Sequence, residues 1–215
     1  MNANLSESTV RSPFRCLHLA LFLVALAIPA ESQVSSGVRP FVGYYYPLGQ
    51  FDHAEILSTA LPQRPSDLRG IAWGGDLQMK FRQRFAVDGM VVTATSTLPS
   101  CTCPGGPTGE VPVRVNIATV EAQYDLSLMP SRYQLWAGVG PAVIQHRGRG
   151  YEQPESPVSW GGAFGLDFTA ALARHWQLVA TGTGVAYAFN LDSPPQHGSQ
   201  LDALLSVGLR WHRGQ

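Results

Sequence analysis

Ile71-Ala72-Trp73-Gly74-Gly75-Asp76-Leu77-Gln78-Met79-Lys80-Phe81 alternates strictly: its odd positions are apolar, while Asp76, Gln78 and Lys80 occupy even ones. A period of two means a β-strand with one apolar and one polar face. Arg82-Gln83 forms a tight link, after which Phe85, Val87 and Val91 oppose Ala86 and Asp88. The same alternation returns in Val120–Leu128 with Glu121 and Asp125 on the polar face, and in Tyr133–Val143. It continues in Trp160–Leu172 with Asp167, and in Leu201–Trp211 with Asp202 and Arg210. Two segments break the pattern. The apolar phase of Val111–Ile117 flips near Ala118-Thr119, which predicts a β-bulge, and Trp176–Phe189 changes face across Gly182-Thr183-Gly184. With a first strand over Val38–Pro47, the segments make eight strands.

The connections alternate as regularly as the residues. Arg82-Gln83, Met129–Arg132 and Ala173–His175 are tight. Gln50–Arg69, Leu98–Glu110, His146–Pro157 and Leu191–Ser199 are longer. Antiparallel hairpins with short turns at one end and long loops at the other are the signature of a membrane β-barrel, with the short turns, here rich in arginine, on the periplasmic side. The expected fold is therefore all-β: an eight-stranded antiparallel transmembrane up-and-down barrel.

The ends and the composition agree. Arg11 and Arg15 precede the apolar run Leu17–Ile28, which ends at Pro29-Ala30-Glu31. Charged start, short apolar run and small residues describe a secretory signal peptide over residues 1–30, cleaved near Ala30. A short mature segment over 31–37 then leads into the barrel domain, 38–215. Only 14% of residues are charged, against about 25% in an ordinary soluble domain. Net charge is zero and Lys80 is the only lysine, so nothing points to nucleic acid. Strand-end aromatics suit an interfacial girdle. Phe81, Phe85, Tyr133, Trp176 and Trp211 would form the periplasmic ring, and Trp73, Trp160, Tyr187 and Phe189 the outer one. An apolar face turned inward around a ligand, as in a lipocalin, is the soluble alternative.

The polar face predicts a charge network inside the lumen: Asp76, Lys80, Asp88, Glu121, Asp125, Asp167, Asp202 and Arg210, with Lys80 and Arg210 neutralising the acids. An interior filled by its own side chains excludes an open porin. His146-Arg147-Gly148-Arg149 is the most basic stretch. Arg147 and Arg149 are candidate contacts for lipopolysaccharide phosphates or an external polyanion, because arginine pairs well with phosphate. Cys101-Thr102-Cys103 lies in a predicted loop, where no further Cys or His completes a set of four metal ligands. No cofactor or metal is expected.

On Val42-Gly43-Tyr44-Tyr45-Tyr46-Pro47, Ala137-Gly138-Val139-Gly140-Pro141 and the C-terminal Ser206-Val207-Gly208-Leu209-Arg210-Trp211, the chain resembles the small outer-membrane barrels of the OmpA/OmpX/opacity-protein type. That resemblance implies a bacterial outer-membrane location and a monomer in contact with lipid. Because every strong sequence feature is spent on building and inserting the barrel, a structural or surface-contact role is expected, with long loops that meet an extracellular ligand. The chain departs from the pattern by running on through His212–Gln215 instead of ending on an aromatic residue. A second likeness defines an enzymatic alternative. His197-Gly198-Ser199, with Asp202 behind it, resembles the His-x-Ser of lipid A deacylase barrels, but Gln200 replaces the Asn expected after the serine. Catalytic residues are not expected.

Overall fold

A computed structural model describes residues 34–48, 69–82, 84–101, 108–127, 132–148, 158–192 and 195–213. They form eight strands: β1 (Ser35–Pro47), β2 (Gly70–Arg82), β3 (Phe85–Cys101), β4 (Thr108–Asp125), β5 (Tyr133–Gly148), β6 (Val158–Ala173), β7 (Trp176–Asp192) and β8 (Pro195–Arg213). Each strand pairs antiparallel with the next, and β8 returns to β1, giving a closed up-and-down barrel. Closure removes the unpaired edges that an open sheet would expose. The signal-peptide expectation over residues 1–30 lies outside the described residues, as does the first long connection.

Alternation decides which side chains face out. Val42, Trp73, Val139, Trp160, Phe164 and Leu205 are each more than half exposed, and Trp160 reaches 72%. Asp76, Gln78, Asp88, Gln123 and Arg210 are buried in the interior. An apolar outside around a polar inside inverts the lipocalin arrangement and suits lipid as the solvent. At the end where the chain enters and leaves the barrel, here called the terminal end, Phe85 meets Tyr124 edge-on and Tyr133 stacks on Phe168. Phe81, Trp176 and Trp211 are exposed at the same end.

Several expectations about the elements change. β1 starts at Ser35, three residues before Val38. β4 carries no bulge: its pairing with β3 runs unbroken from Phe85↔Tyr124 to Cys101↔Thr108. Odd residues point inward along the whole strand, and it is the lumen that changes, from polar around Glu121 to apolar around Val115 and Ile117. β7 likewise keeps its phase, so Tyr187 lies inside the barrel at 4% exposure instead of joining an outer girdle. The side chain of Phe189 is outside the described residues. Two connections at the distal end, opposite the terminal end, are shorter than the sequence suggests. The β3–β4 ladder persists to Cys101↔Thr108, and the β7–β8 ladder to Asp192↔Pro195. In the sequence these strand ends mix Pro, Gly, Ser and Asp with isolated apolar residues, so the alternation fades although the pairing continues.

Candidate functional site

The lumen is built in four layers. Nearest the terminal end, Lys80 donates to Gln134 Oε1 at 3.3 Å and sits 4.7 Å from the centre of the Trp136 ring. Trp136 is wholly inside the barrel, and its indole N–H is 3.4 Å from the same Gln134 oxygen. Asp125 accepts the backbone N–H of Ser127 at 2.8 Å. Lys80 therefore does not neutralise a carboxylate directly; the ring face stabilises its charge.

The central charged layer contains a residue that the sequence reading passed over. Arg39, on the inward face of β1, is 1% exposed and donates through Nε to Asp76. Its Nη1 donates to Thr181 Oγ1 at 2.6 Å, and its guanidinium lies 5.1 Å from the Phe41 ring. Arg210 reaches the other oxygen of Asp76 at 3.0 Å and lies 3.6 Å from Asp88 and 3.8 Å from Asp167. Gln78 donates to Gln123 at 2.6 Å, and Gln123 donates to Asp167 at 3.1 Å, extending the chain across the barrel. Glu121 is buried on the same level, against the bare backbones of Gly138 and Gly165. A Cβ at Gly138 would come within 2.5 Å of its carboxylate.

Of the eight charged residues expected here, Asp76, Asp88, Asp167 and Arg210 come together in one cluster. Lys80, Asp125 and Glu121 stand beside it, and Asp202 lies apart. Alternation could have found Arg39, since it shares odd parity with the buried Phe41 and Tyr45; Pro40 and Gly43 blur that strand. Ion pairing offsets part of the cost of burying these charges: Asp76 bonds both arginines and Asp167 accepts from Gln123, whereas Asp88 Oδ1 has Arg210 at 3.6 Å and no hydrogen bond among the described residues.

Beyond the charges comes an apolar layer that includes Phe41, Met90, Ile117, Ile144, Val185 and Leu204. Above it Asp202 accepts from Tyr45 Oη at 2.6 Å, Tyr187 Oη at 3.0 Å and Gln200 Nε2 at 2.8 Å. Tyr187 Oη is also 3.2 Å from His146 Nε2. Side chains thus fill the lumen in a lysine–tryptophan layer, a salt-bridged layer, an apolar layer and a carboxylate–hydroxyl layer.

The nucleophile arrangement suggested by His197, Ser199 and Asp202 does not assemble. Ser199 is exposed on the outer face, while Asp202 is 1% exposed inside and committed to its three donors. The side chain of His197 lies outside the described residues. Among the described residues no group of His, Cys, Asp or Glu is placed to hold a metal. Arg147 is exposed at the distal end of β5, directly opposite Arg114 of β4. Arg149 and Cys103 are outside the described residues.

An apolar exterior, a packed polar lumen and a closed eight-stranded antiparallel sheet define a small transmembrane β-barrel of the outer-membrane type. Two solved outer-membrane proteins share the fold. OprG from Pseudomonas aeruginosa superposes with a TM-score of 0.55 at 13% identity, over 86% of this chain and 98% of OprG. Neisserial surface protein A gives a TM-score of 0.52 at 11% identity, over 84% of this chain and 97% of that protein. No family model matches the sequence, and no curated protein does.

Proposed function

We propose that the chain is a monomeric barrel of the bacterial outer membrane with a structural or surface-contact role, exported by a signal peptide over residues 1–30. In this reading the terminal end, rimmed by Arg84, Arg132 and Arg174, faces the periplasm. The distal end faces outward, where it contacts lipopolysaccharide and an extracellular ligand. The barrel is neither an open porin nor an enzyme. The observation that carries the reading is the packed lumen inside an apolar exterior: residues that could line a channel are engaged with one another across the barrel. The polar residues therefore build the wall and its filling, and contacts with other molecules fall to the distal end.

Membrane fractionation, followed by gels of boiled and unboiled protein, tests this reading. The expected result is an outer-membrane protein with heat-modifiable mobility and no stable open-pore conductance in planar bilayers. A folded monomer that needs no detergent would overturn it.

A further inference from the structure

The outer face of β3, β4 and β5 changes character row by row toward the distal end. Val91 pairs with Ala118, Ala118 with Val143, and Val143 with Trp160, giving an apolar row that ends on the most exposed tryptophan. Tryptophan marks the boundary between hydrocarbon and headgroups. The next outward-facing row is Thr93, Asn116 and Gln145. Thr93 Oγ1 is 2.9 Å from Asn116 Oδ1, and Asn116 Nδ2 is 3.5 Å from Gln145 Oε1. The row after that is Thr95, Arg114 and Arg147. Two rows amount to roughly 13 Å along a strand, or about 9 Å along the membrane normal at a tilt of ~45°. That height reaches the outer edge of the headgroup layer, which is about 5–8 Å thick on each side of the core, so long arginine side chains there can reach back to headgroup phosphates.

Arg114 and Arg147 are cross-strand neighbours, both exposed. Like charges directly opposite each other in a sheet repel, and no carboxylate among the described residues pairs with either. Arg69 joins them at the start of β2, its backbone oxygen accepting Ser96 Oγ at 2.9 Å. Together with Thr95 and Thr97 they line an open cleft of about 550 Å³. Three arginines and two threonines lining one cleft at the outer edge of the headgroup layer offer a cradle for a doubly charged anion, because arginine binds phosphate oxygens in bidentate fashion.

We propose that this cleft binds a phosphate group of a phosphorylated outer-leaflet glycolipid, held from the side of the barrel by Arg69, Arg114 and Arg147. The assignment rests on the outer-membrane reading and on the distal end facing outward. A lipid phosphate is favoured over a soluble polyanion because the arginines stand on the lipid-facing side, above an apolar row that acyl chains can cover.

The test uses the full mature chain folded in detergent, titrated with diphosphorylated lipid A and with the same lipid after phosphatase treatment. Inorganic phosphate and a sulfated heparin oligosaccharide serve as competitors. The expected outcome is about tenfold or more tighter binding of the phosphorylated lipid, lost in the Arg69→Gln/Arg114→Gln/Arg147→Gln variant. Arg114→Lys should recover only part of the affinity, since the charge remains but the bidentate geometry does not. Heat-modifiable mobility of the triple variant establishes that it is folded. Equal binding of the two lipid forms by a folded wild-type barrel overturns the site and leaves the barrel reading standing. Tight binding of the heparin oligosaccharide with no preference for the phosphorylated lipid overturns it in favour of an external polyanion.

Discussion

Arg39 and Arg210 face each other across the seam where the barrel closes, and both bond to Asp76. The β1–β8 register, Val38↔Trp211 and Phe41↔Gly208, sets the two arginines opposite one another, and the β1–β2 register sets Asp76 beside Arg39. Asp76 is accordingly the group that makes closure compatible with two buried guanidiniums. The prediction is that Asp76→Ala destabilises the barrel by about 3–5 kcal/mol, the cost of leaving buried charges uncompensated. Urea titration of the refolded protein, read by gel mobility, measures this. Stability within 1 kcal/mol of wild type (about 1 kcal/mol being the usual ceiling for an exposed ion pair) would show that the cluster is hydrated and does not secure the seam.

The same seam needs glycine. A Cβ on Gly208 would meet Pro40 O at 2.3 Å and Arg39 Cγ at 2.9 Å, and a Cβ on Gly37 would meet Arg210 Cγ at 3.0 Å. Each arginine thus folds over the bare backbone of the facing strand. Gly162, by contrast, offers its nearest atom at 3.9 Å. Gly208→Ala should lower stability by about 1–3 kcal/mol through overpacking, whereas Gly162→Ala should be close to neutral. Parallel unfolding curves of the two variants check the contrast, and equal curves would remove the steric account of the seam.

These two relationships also mark what was legible in the sequence. Strand number, closure and the inward parity of Asp76, Asp88 and Asp167 follow from alternation, because lipid outside and charge inside give neighbouring residues strong contrast. Arg39 was hidden because β1 interrupts its own contrast with Pro40, Gly43 and three tyrosines of both orientations. The apolar layer mimics a bulge in β4 for a related reason: Val115 and Ile117 share inward parity with Glu121, so hydrophobicity alone puts them on the wrong face. Tyr187 illustrates the limit again, since an amphipathic ring serves a girdle or a buried hydroxyl equally well. The arginine cluster needs register as well as parity, because Arg69, Arg114 and Arg147 are far apart in the chain.

Tryptophan fluorescence can test the inside-out arrangement without any assumption about function. Trp160 is 72% exposed on the outer face and Trp136 is 1% exposed in the lumen. In variants retaining a single tryptophan, lipids brominated on their acyl chains should quench Trp160 strongly and leave Trp136 nearly unchanged. Comparable quenching of both would contradict the placement of Trp136 inside the wall, and protection of both would mean that the apolar face does not meet lipid.

Asp202 closes the distal part of the lumen by a different means from the arginine cluster. Its carboxylate accepts from Tyr45, Tyr187 and Gln200, so one acidic group holds side chains from β1, β7 and β8 together. Asp202→Ala removes the acceptor that three side chains share, at about 1–3 kcal/mol for each donor that finds no substitute. Asp202→Asn keeps one carbonyl acceptor and should lose less. The loss should also appear as function: a loosened plug above the apolar layer gives Asp202→Ala brief ion-conducting events in planar bilayers that wild type lacks. Stability and conductance should move in the same order, wild type, Asn, Ala. A stable Asp202→Ala barrel as silent as wild type would show that the apolar layer around Ile117 and Ile144 seals the lumen alone.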